Sequence, residues 1–151
     1  AEGGGGKKTP QQLKKIEENK KANQQRARER IEAKKGELED RKNNIDPNAT
    51  FQEWADELIE IKDKIDALNE FLDDINKFID YSIEQYYAIT SEINDGELST
   101  VGYIMLAEYV EEFKKISKKS KELGLTTNDD IKNLLKSLDG TFGTIAESVL
   151  K

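Results

Sequence analysis

The chain has 151 residues, of which 36% are charged and 35% are hydrophobic, and its formal net charge at pH 7 is −7. A charged fraction well above the roughly 25% of ordinary domains favours elongated helices with much solvated surface. The absence of cysteine and histidine excludes disulfides, thiolate metal sites and histidine-based acid–base catalysis. No apolar run approaches the roughly 18 residues of a membrane span. With no signal peptide recognised either, we expect a soluble protein, either cytoplasmic or part of a particle.

Residues 1–8 form the first predicted segment, a disordered glycine-rich tip. Its four consecutive glycines have no side chains to bury and lose the most backbone entropy on ordering. A helix is predicted to begin directly afterwards. Thr9 is a good N-cap, Pro10 fits the first helical position, and Gln12 completes a capping box.

A basic helical arm is predicted for residues 9–44. Nine lysines and four arginines lie between residues 7 and 42 against seven acids, whereas residues 45–151 carry eleven bases against twenty-three acids. The apolar residues of the arm are few, and Gly36 costs up to about 1 kcal/mol relative to alanine. We therefore expect a weakly held helix that ends near Asn43.

A long helix at residues 51–93 is the element around which the chain is organised. Thr50 and Glu53 form a second capping box at its start. Apolar residues repeat at alternating steps of three and four, which places them on one side of an α-helix. Phe71 and Phe78 widen this apolar stripe in the second half, and a wider stripe contacts more than one partner helix. The a positions are Phe51, Leu58, Ile65, Leu72, Ile79, Tyr86 and Ile93, and the d positions are Trp54, Ile61, Leu68, Ile75, Ser82 and Ile89.

A third helix is predicted after a turn at residues 94–96, whose Asn-Asp-Gly sequence is typical of turns. Ser99 or Thr100 caps its start, and Gly124 ends it as a left-handed C-terminal residue. The predicted buried face consists of Tyr103, Leu106, Val110, Phe113, Ile116 and Leu123.

Two further short helices, at residues 126–138 and 141–150, complete an acidic helical-bundle body predicted for residues 50–151. Short connections make consecutive helices antiparallel. The third helix is about half as long as the second, so it covers only the half in which the apolar stripe is wide. The predicted fold is therefore all-α: a long antiparallel helical hairpin, coiled-coil-like, thickened at one end into a small helical bundle.

The acidic residues of the long helix do not form a recognisable catalytic or metal site. They fall mainly on outward-facing positions, and neighbours such as Asp73 and Asp74 point about 100° apart. A carboxylate metal centre would need matched glutamates facing inward from several helices. Residues 128–130 lack the glycine and the terminal glutamate of a calcium loop. We expect no enzyme activity, no cofactor, no metal and no small-molecule substrate.

The first half of the long helix, from Phe51 to Leu68, is predicted to be incompletely covered, because the opposing arm offers few apolar side chains. Exposed apolar strips of this kind mark partner sites. Trp54, the only tryptophan, is expected to anchor the core or an interface. Three tyrosines at the edge of the stripe are either partly buried or anchors for a partner. The candidate interface residues are Phe51, Trp54, Leu58, Ile61, Ile65, Tyr81, Tyr87 and Tyr109.

The cations of the basic arm have three possible roles: packing or self-assembly, contact with nucleic acid or another polyanion, or a solvated face. Acidic residues are interspersed among them, and no aromatic residue accompanies them for base stacking. This composition favours packing against an acidic surface. The candidate polyanion contacts are Lys14, Lys15, Lys20, Lys21, Arg26, Arg28, Arg30 and Lys34.

These patterns favour a non-enzymatic structural or adaptor protein that assembles through helix–helix contacts in a larger complex, such as a virion, a secretion apparatus or a chaperone–cargo complex. The expected partner is another protein or a second copy of the chain. The alternative is a nucleic-acid-binding accessory protein that uses the basic N-terminal helix.

Overall fold

Three helices and one small β-hairpin make up the part of the chain that the computed structural model describes, residues 9–125. In chain order they are α1 (Pro10–Asn43), α2 (Phe51–Thr90), β1 (Ile93–Asn94), β2 (Glu97–Leu98) and α3 (Thr100–Glu122). The predicted all-α class is confirmed, since α1 and α3 both pack on α2. The predicted N-terminal tip and the fourth and fifth helices lie outside the described residues.

Both long helices begin at the predicted capping boxes. The hydroxyl of Thr9 accepts a hydrogen bond from the backbone N–H of Gln12 at 3.1 Å, and the Gln12 side chain accepts one from the Thr9 N–H at 2.8 Å. Thr50 and Glu53 repeat this arrangement at 3.1 and 2.9 Å. An N-cap contributes about 1 kcal/mol. Local sequence therefore determines where both helices begin.

Helices α1 and α2 lie antiparallel, held by a narrow buried strip and by ion pairs in both halves of α1. Lys20 pairs with Asp80 at 3.1 Å, and Arg41 pairs with both Glu57 and Glu60. These pairs join the first half of α1 to the second half of α2 and the end of α1 to the beginning of α2, as the short connection predicts. The buried residues of α1 are Ile16, Asn23, Ala27, Ile31 and Leu38.

A polar residue, Asn23, interrupts the buried strip of α1. Its side-chain amide donates to the carbonyl oxygen of Asn19 at 2.7 Å, and its carbonyl oxygen accepts from Arg26 at 2.9 Å. A buried asparagine in a helix seam favours one register of the two helices at a cost in stability. Asn23 thus occupies a buried position of α1 at which the apolar strip is interrupted.

Helix α2 ends at Thr90 rather than at the predicted Ile93. Ile93 instead pairs with Leu98 in the antiparallel β-hairpin. The sequence predicts a turn here but no strands. Asp95 and Gly96, at the hairpin's turn, have φ angles of 52° and 79°. Positive φ at both central residues is the conformation that a type I′ hairpin turn requires, and Asp-Gly is a preferred sequence for it. The predicted turn is therefore present, but it connects two short strands.

Helix α3 has the predicted ends, but its buried face is rotated from the predicted one. Ser99 is the N-cap, and Gly124 has the left-handed φ of 72°. Tyr103, predicted to be buried, is 61% exposed. The reason is the close approach of Gly102 to Leu98, where an added Cβ would lie 2.4 Å from a methyl carbon. The residues that α3 buries are Gly102, Leu106, Tyr109, Phe113 and Ser120.

The core lies where α2 and α3 face each other, centred on Phe78. This side chain is 5% exposed, and its ring stacks on Tyr109 with centroids 5.4 Å apart and meets Phe113 edge-on at 6.2 Å. Ile75 and Ile79 are buried beside it, as predicted. Leu72, at an a position of the predicted apolar repeat, is only half-buried and packs at the edge of the core.

Candidate protein-interaction surface

The two-helix end of the hairpin is left without cover from α3. The end of α3 lies beside α1 and α2: Leu123 and Gly124 share a crevice with Lys34 and Leu68. Lys64 and Arg41 also line this crevice, so among residues 9–125 it is only before Lys64 that α1 is the one element packed on α2. This agrees with the expectation that the third helix covers only the half of α2 in which the apolar stripe is wide.

Three large apolar side chains are exposed at this end, and together they form what we call the tip patch: Phe51, Trp54 and Ile59. Their exposed fractions are 78%, 44% and 58%. The rings of Phe51 and Trp54 contact each other, with centroids 5.9 Å apart. Ala55, half-buried, lies one helical turn from both Phe51 and Ile59 and connects them along α2. A group of exposed large apolar side chains on one short stretch of a helix is the kind of surface that marks an interaction site.

The predicted interface residues of α2 divide into exposed, half-buried and buried ones. Phe51 and Trp54 are exposed as predicted, whereas Leu58 and Ile65 are half-buried. Ile61 is fully buried, so its assignment to an accessible interface is wrong. It lies one turn from Glu57, on the side of α2 where Arg41 of α1 binds. Helix α1 thus covers more of this seam than its apolar content predicts.

The three candidate tyrosines occupy different environments. Tyr87 is 36% exposed and contacts the ring of Tyr86. Tyr81 is half-buried, and its ring stacks on that of Tyr109 with centroids 5.8 Å apart. Its pKa is raised mainly by burial and to a lesser extent by the nearby acids of α3. Tyr109 is fully buried, and its hydroxyl is 2.7 Å from that of Ser82. Tyr109 is therefore a core residue and not a partner anchor.

The hydroxyl of Ser82 explains why a tyrosine fits inside this core. Ser82 donates a hydrogen bond to a backbone carbonyl of its own helix, that of Phe78, at 2.8 Å. Its oxygen can then accept from the Tyr109 hydroxyl, so neither buried group is left unpaired. Burial raises the pKa of Tyr109 far above its ordinary value of 10.0.

Stability should fall at alkaline pH because Tyr109 keeps its proton in the folded state. Above about pH 10 the unfolded chain loses this proton and the folded chain does not, so the free energy of unfolding decreases by up to about 1.4 kcal/mol per pH unit. Tyr109→Phe should remove this contribution, at a cost of about 0.5–1.5 kcal/mol near neutral pH for the lost hydrogen bond. Urea unfolding at about pH 7 and about pH 11 measures both effects. Tyr103→Phe, at an exposed position, should keep the wild-type slope, and an equal slope in Tyr109→Phe would contradict the assignment.

Ile59 was missed from the sequence although a signal was present. It occupies position b of the repeat, which faces away from the seam, so its side chain is one that the seam itself does not bury. A second exposed apolar group lies in the first turn of α3, made of Val101, Tyr103 and Ile104. These residues were likewise outside the predicted interface.

The basic arm is partly neutralised by acids of the same chain. Lys20 pairs with Asp80 on α2, and this hydrogen bond raises the pKa of the lysine. Lys34 pairs with Glu37 at 3.5 Å within α1. These pairs favour the packing role of the arm over contact with a polyanion. Of the eight candidates, Lys14, Lys15, Lys21, Arg26 and Arg28 are exposed, and Lys20, Arg30 and Lys34 are half-buried.

An open groove of about 740 Å³ lies between α2 and α3, with Phe78 and Tyr81 among its lining residues. Its rim carries both signs of charge, and Lys119 pairs across it with Asp74 at 2.8 Å. Since these charges compensate each other, the groove offers no single-sign site for a charged ligand. Among residues 9–125, no three acidic side chains gather closely enough to hold a metal ion.

Comparison of the chain with protein-family models, with curated proteins and with solved structures gave no match. None of the helices in residues 9–125 combines the length and the apolar character that crossing a bilayer requires.

Proposed function

We propose that this protein is a non-enzymatic structural or adaptor component that assembles with a protein partner through helix–helix contacts. The observation that supports the proposal is the tip patch, in which two aromatic rings and an isoleucine are exposed together. Each such side chain contributes roughly 1.5–3 kcal/mol when fully buried. Aromatic anchors of this kind dominate the energetics of protein interfaces.

The architecture suits an adaptor because its two ends differ. The α2–α3 end has an aromatic core around Phe78 that packs α3 against α2. At the other end, α1 and α2 pair beyond the end of α3, and this two-helix end carries the tip patch. The 40 residues of α2 span about 60 Å at about 1.5 Å per residue. Such a protein would serve in a larger assembly of the kind found in virions, secretion apparatuses or chaperone–cargo complexes.

Site-specific photo-cross-linking tests this proposal. A photoreactive phenylalanine analogue placed at Ile59 should give a protein adduct of defined mass in the native extract, because the partner covers that position. The matched control places the same group at Glu84, which is exposed near the other end of α2. Adducts at both positions, or at neither, would overturn the assignment of the tip patch.

Trp54 provides a second readout, since it is the only tryptophan of the chain. With 44% of its surface exposed, its emission should be red-shifted in the isolated protein. The emission should move to shorter wavelength when the partner identified by cross-linking is added, because binding removes water from the indole. An unchanged spectrum at saturating partner would place the contact elsewhere.

A further inference from the structure

We infer that the occupant of the tip patch is a basic amphipathic helix of another protein. This inference rests on the proposed function and specifies the chemistry of the partner. It follows from the charges around Ile59, from the shape of the apolar stripe on α2, and from the self-repulsion that a symmetric contact between two copies would produce.

The charges next to the tip patch are mainly negative. Asp56 and Asp63 lie about one helical turn before and after Ile59, and Asp66 lies about two turns after it. Lys62, about one turn after Ile59, is the only cation in this group. All three aspartates are exposed. Within residues 9–125, Asp63 and Asp66 form no ion pair, and Asp56 only accepts a hydrogen bond from the neutral Gln52 at 2.7 Å.

The opposite flank of α2 shows the contrast. There, Glu57 and Glu60 are paired with Arg41 of α1, and Glu60 is paired also with Lys64. The acids on the side of α1 therefore already have cationic partners within the chain. The acids beside the tip patch are available to cations of another molecule.

The apolar stripe has the dimensions of a helix-binding surface. Phe51, Ala55 and Ile59 follow one another at steps of four residues, so the stripe runs about 12 Å along α2. A partner helix lying along it would contact it through apolar residues spaced three or four apart. Lysines and arginines beside those apolar residues would reach the aspartates. Charges at the rim of an interface determine which partner binds and how fast it associates.

A second copy of the chain does not fit this surface. A two-fold symmetric contact brings the same patch together from both copies, so the three aspartates of each would face those of the other. Helix α1 of a second copy is basic, but its apolar residues Ile31 and Leu38 are already buried within its own chain. The exposed apolar group of α3 has acids about one turn away on both sides, Glu97 before Val101 and Glu108 after Ile104, so it does not supply the cations. The surface thus selects a foreign helix that carries both a free apolar face and cations.

Two synthetic peptides test the inference. The first has 18 residues of leucine and lysine, with the leucines at i, i+3, i+4 and i+7 spacing; the second has glutamate in place of lysine. The full chain should bind the lysine peptide and shift Trp54 emission to shorter wavelength, and it should not bind the glutamate peptide. Asp63→Asn/Asp66→Asn should weaken binding of the lysine peptide about three- to tenfold.

Two control variants separate docking from general attraction to an acidic protein. Asp73→Asn/Glu84→Gln removes the same charge from exposed positions farther along α2 and should leave the affinity unchanged. Ile59→Ser keeps every acid and should reduce the affinity at least about tenfold, because the apolar contact is lost. Unaltered affinity in Ile59→Ser, or equal weakening in both charge variants, would overturn the inference.

Other outcomes distinguish this inference from the proposed function. Equal binding of both peptides would show a helix-docking surface without charge selection, which refutes the basic partner only. Failure of both peptides together with a specific cross-link at position 59 would also refute the basic helix and leave the adaptor role intact. A blue shift that grows with protein concentration alone would make a second copy the occupant and overturn the inference. Absence of both peptide binding and cross-linking would remove both proposals.

Discussion

Replacing Phe78 with alanine should lower the free energy of unfolding by about 3–5 kcal/mol. Phe78 is 5% exposed, and its ring contacts the rings of Tyr81, Tyr109 and Phe113. Truncation removes the hydrophobic contribution of the ring and leaves a cavity that three surrounding aromatic side chains cannot easily fill. The aromatic contacts add about 0.5–1.5 kcal/mol each beyond the buried area. The loss should therefore lie toward the upper part of the range.

Phe51→Ala is the matched control for this measurement. It removes the same side chain from the same helix, but from a position that is 78% exposed. The free energy of unfolding should change by no more than about 0.5 kcal/mol, as for most surface substitutions. Urea or guanidinium unfolding followed by circular dichroism gives both values. A loss below about 1 kcal/mol in Phe78→Ala would show that this ring is not at the centre of the core.

The helix starts, and the end of α3, could be predicted because their determinants are local. Thr9 and Thr50 each bond to a residue three positions away, so four consecutive residues contain the whole signal. Gly124 ends α3 because its backbone adopts a positive φ that glycine tolerates best. The apolar repeat of α2 likewise depends on the helical period alone, and Ile75 and Ile79 are buried as it predicts.

The buried face of α3 could not be predicted because it depends on contacts between distant residues. Tyr109 is inside because Ser82, 27 residues earlier, provides both space and a hydrogen-bond partner for its hydroxyl. Tyr103 is outside because Gly102 packs against Leu98 of the β-hairpin. A helical period shows which residues share a face, but it does not show which of two adjacent faces meets the neighbouring helix.

The candidate site shows the same division. Phe51 and Trp54 could be assigned to an interface because the stripe continues beyond the reach of the short third helix. Ile61 belongs to the same stripe, yet it is buried where α1 packs on α2. The few apolar residues of α1 did not show which residues of α2 they would face. Ile59 completes the patch from a position outside the repeat. The boundary of the patch therefore depends on where α1 lies.

Ile31→Ala should lower the free energy of unfolding by about 2–5 kcal/mol. Ile31 is fully buried near the middle of α1. α1 buries only four apolar residues, and the polar Asn23 interrupts them. The Ile31 side chain therefore makes a large part of the apolar contact between α1 and the rest of the molecule. The substitution measures whether α1 is an integral part of the fold or a weakly attached helix. The sequence alone predicts the weakly attached helix.

Leu13→Ala is the control, since leucine and isoleucine lose the same three carbons and Leu13 is 47% exposed on the same helix. Its cost should stay below about 1 kcal/mol. Hydrogen exchange of the α1 amides adds a second criterion: in the wild type they should be protected to the same free energy as those of α2, as for one cooperative unit. If Ile31→Ala costs less than about 0.5 kcal/mol and the α1 amides exchange early, α1 opens independently of the bundle. The seam of α2 around Ile61 would then be exposed in that open state, and the partner-binding surface would extend beyond the tip patch.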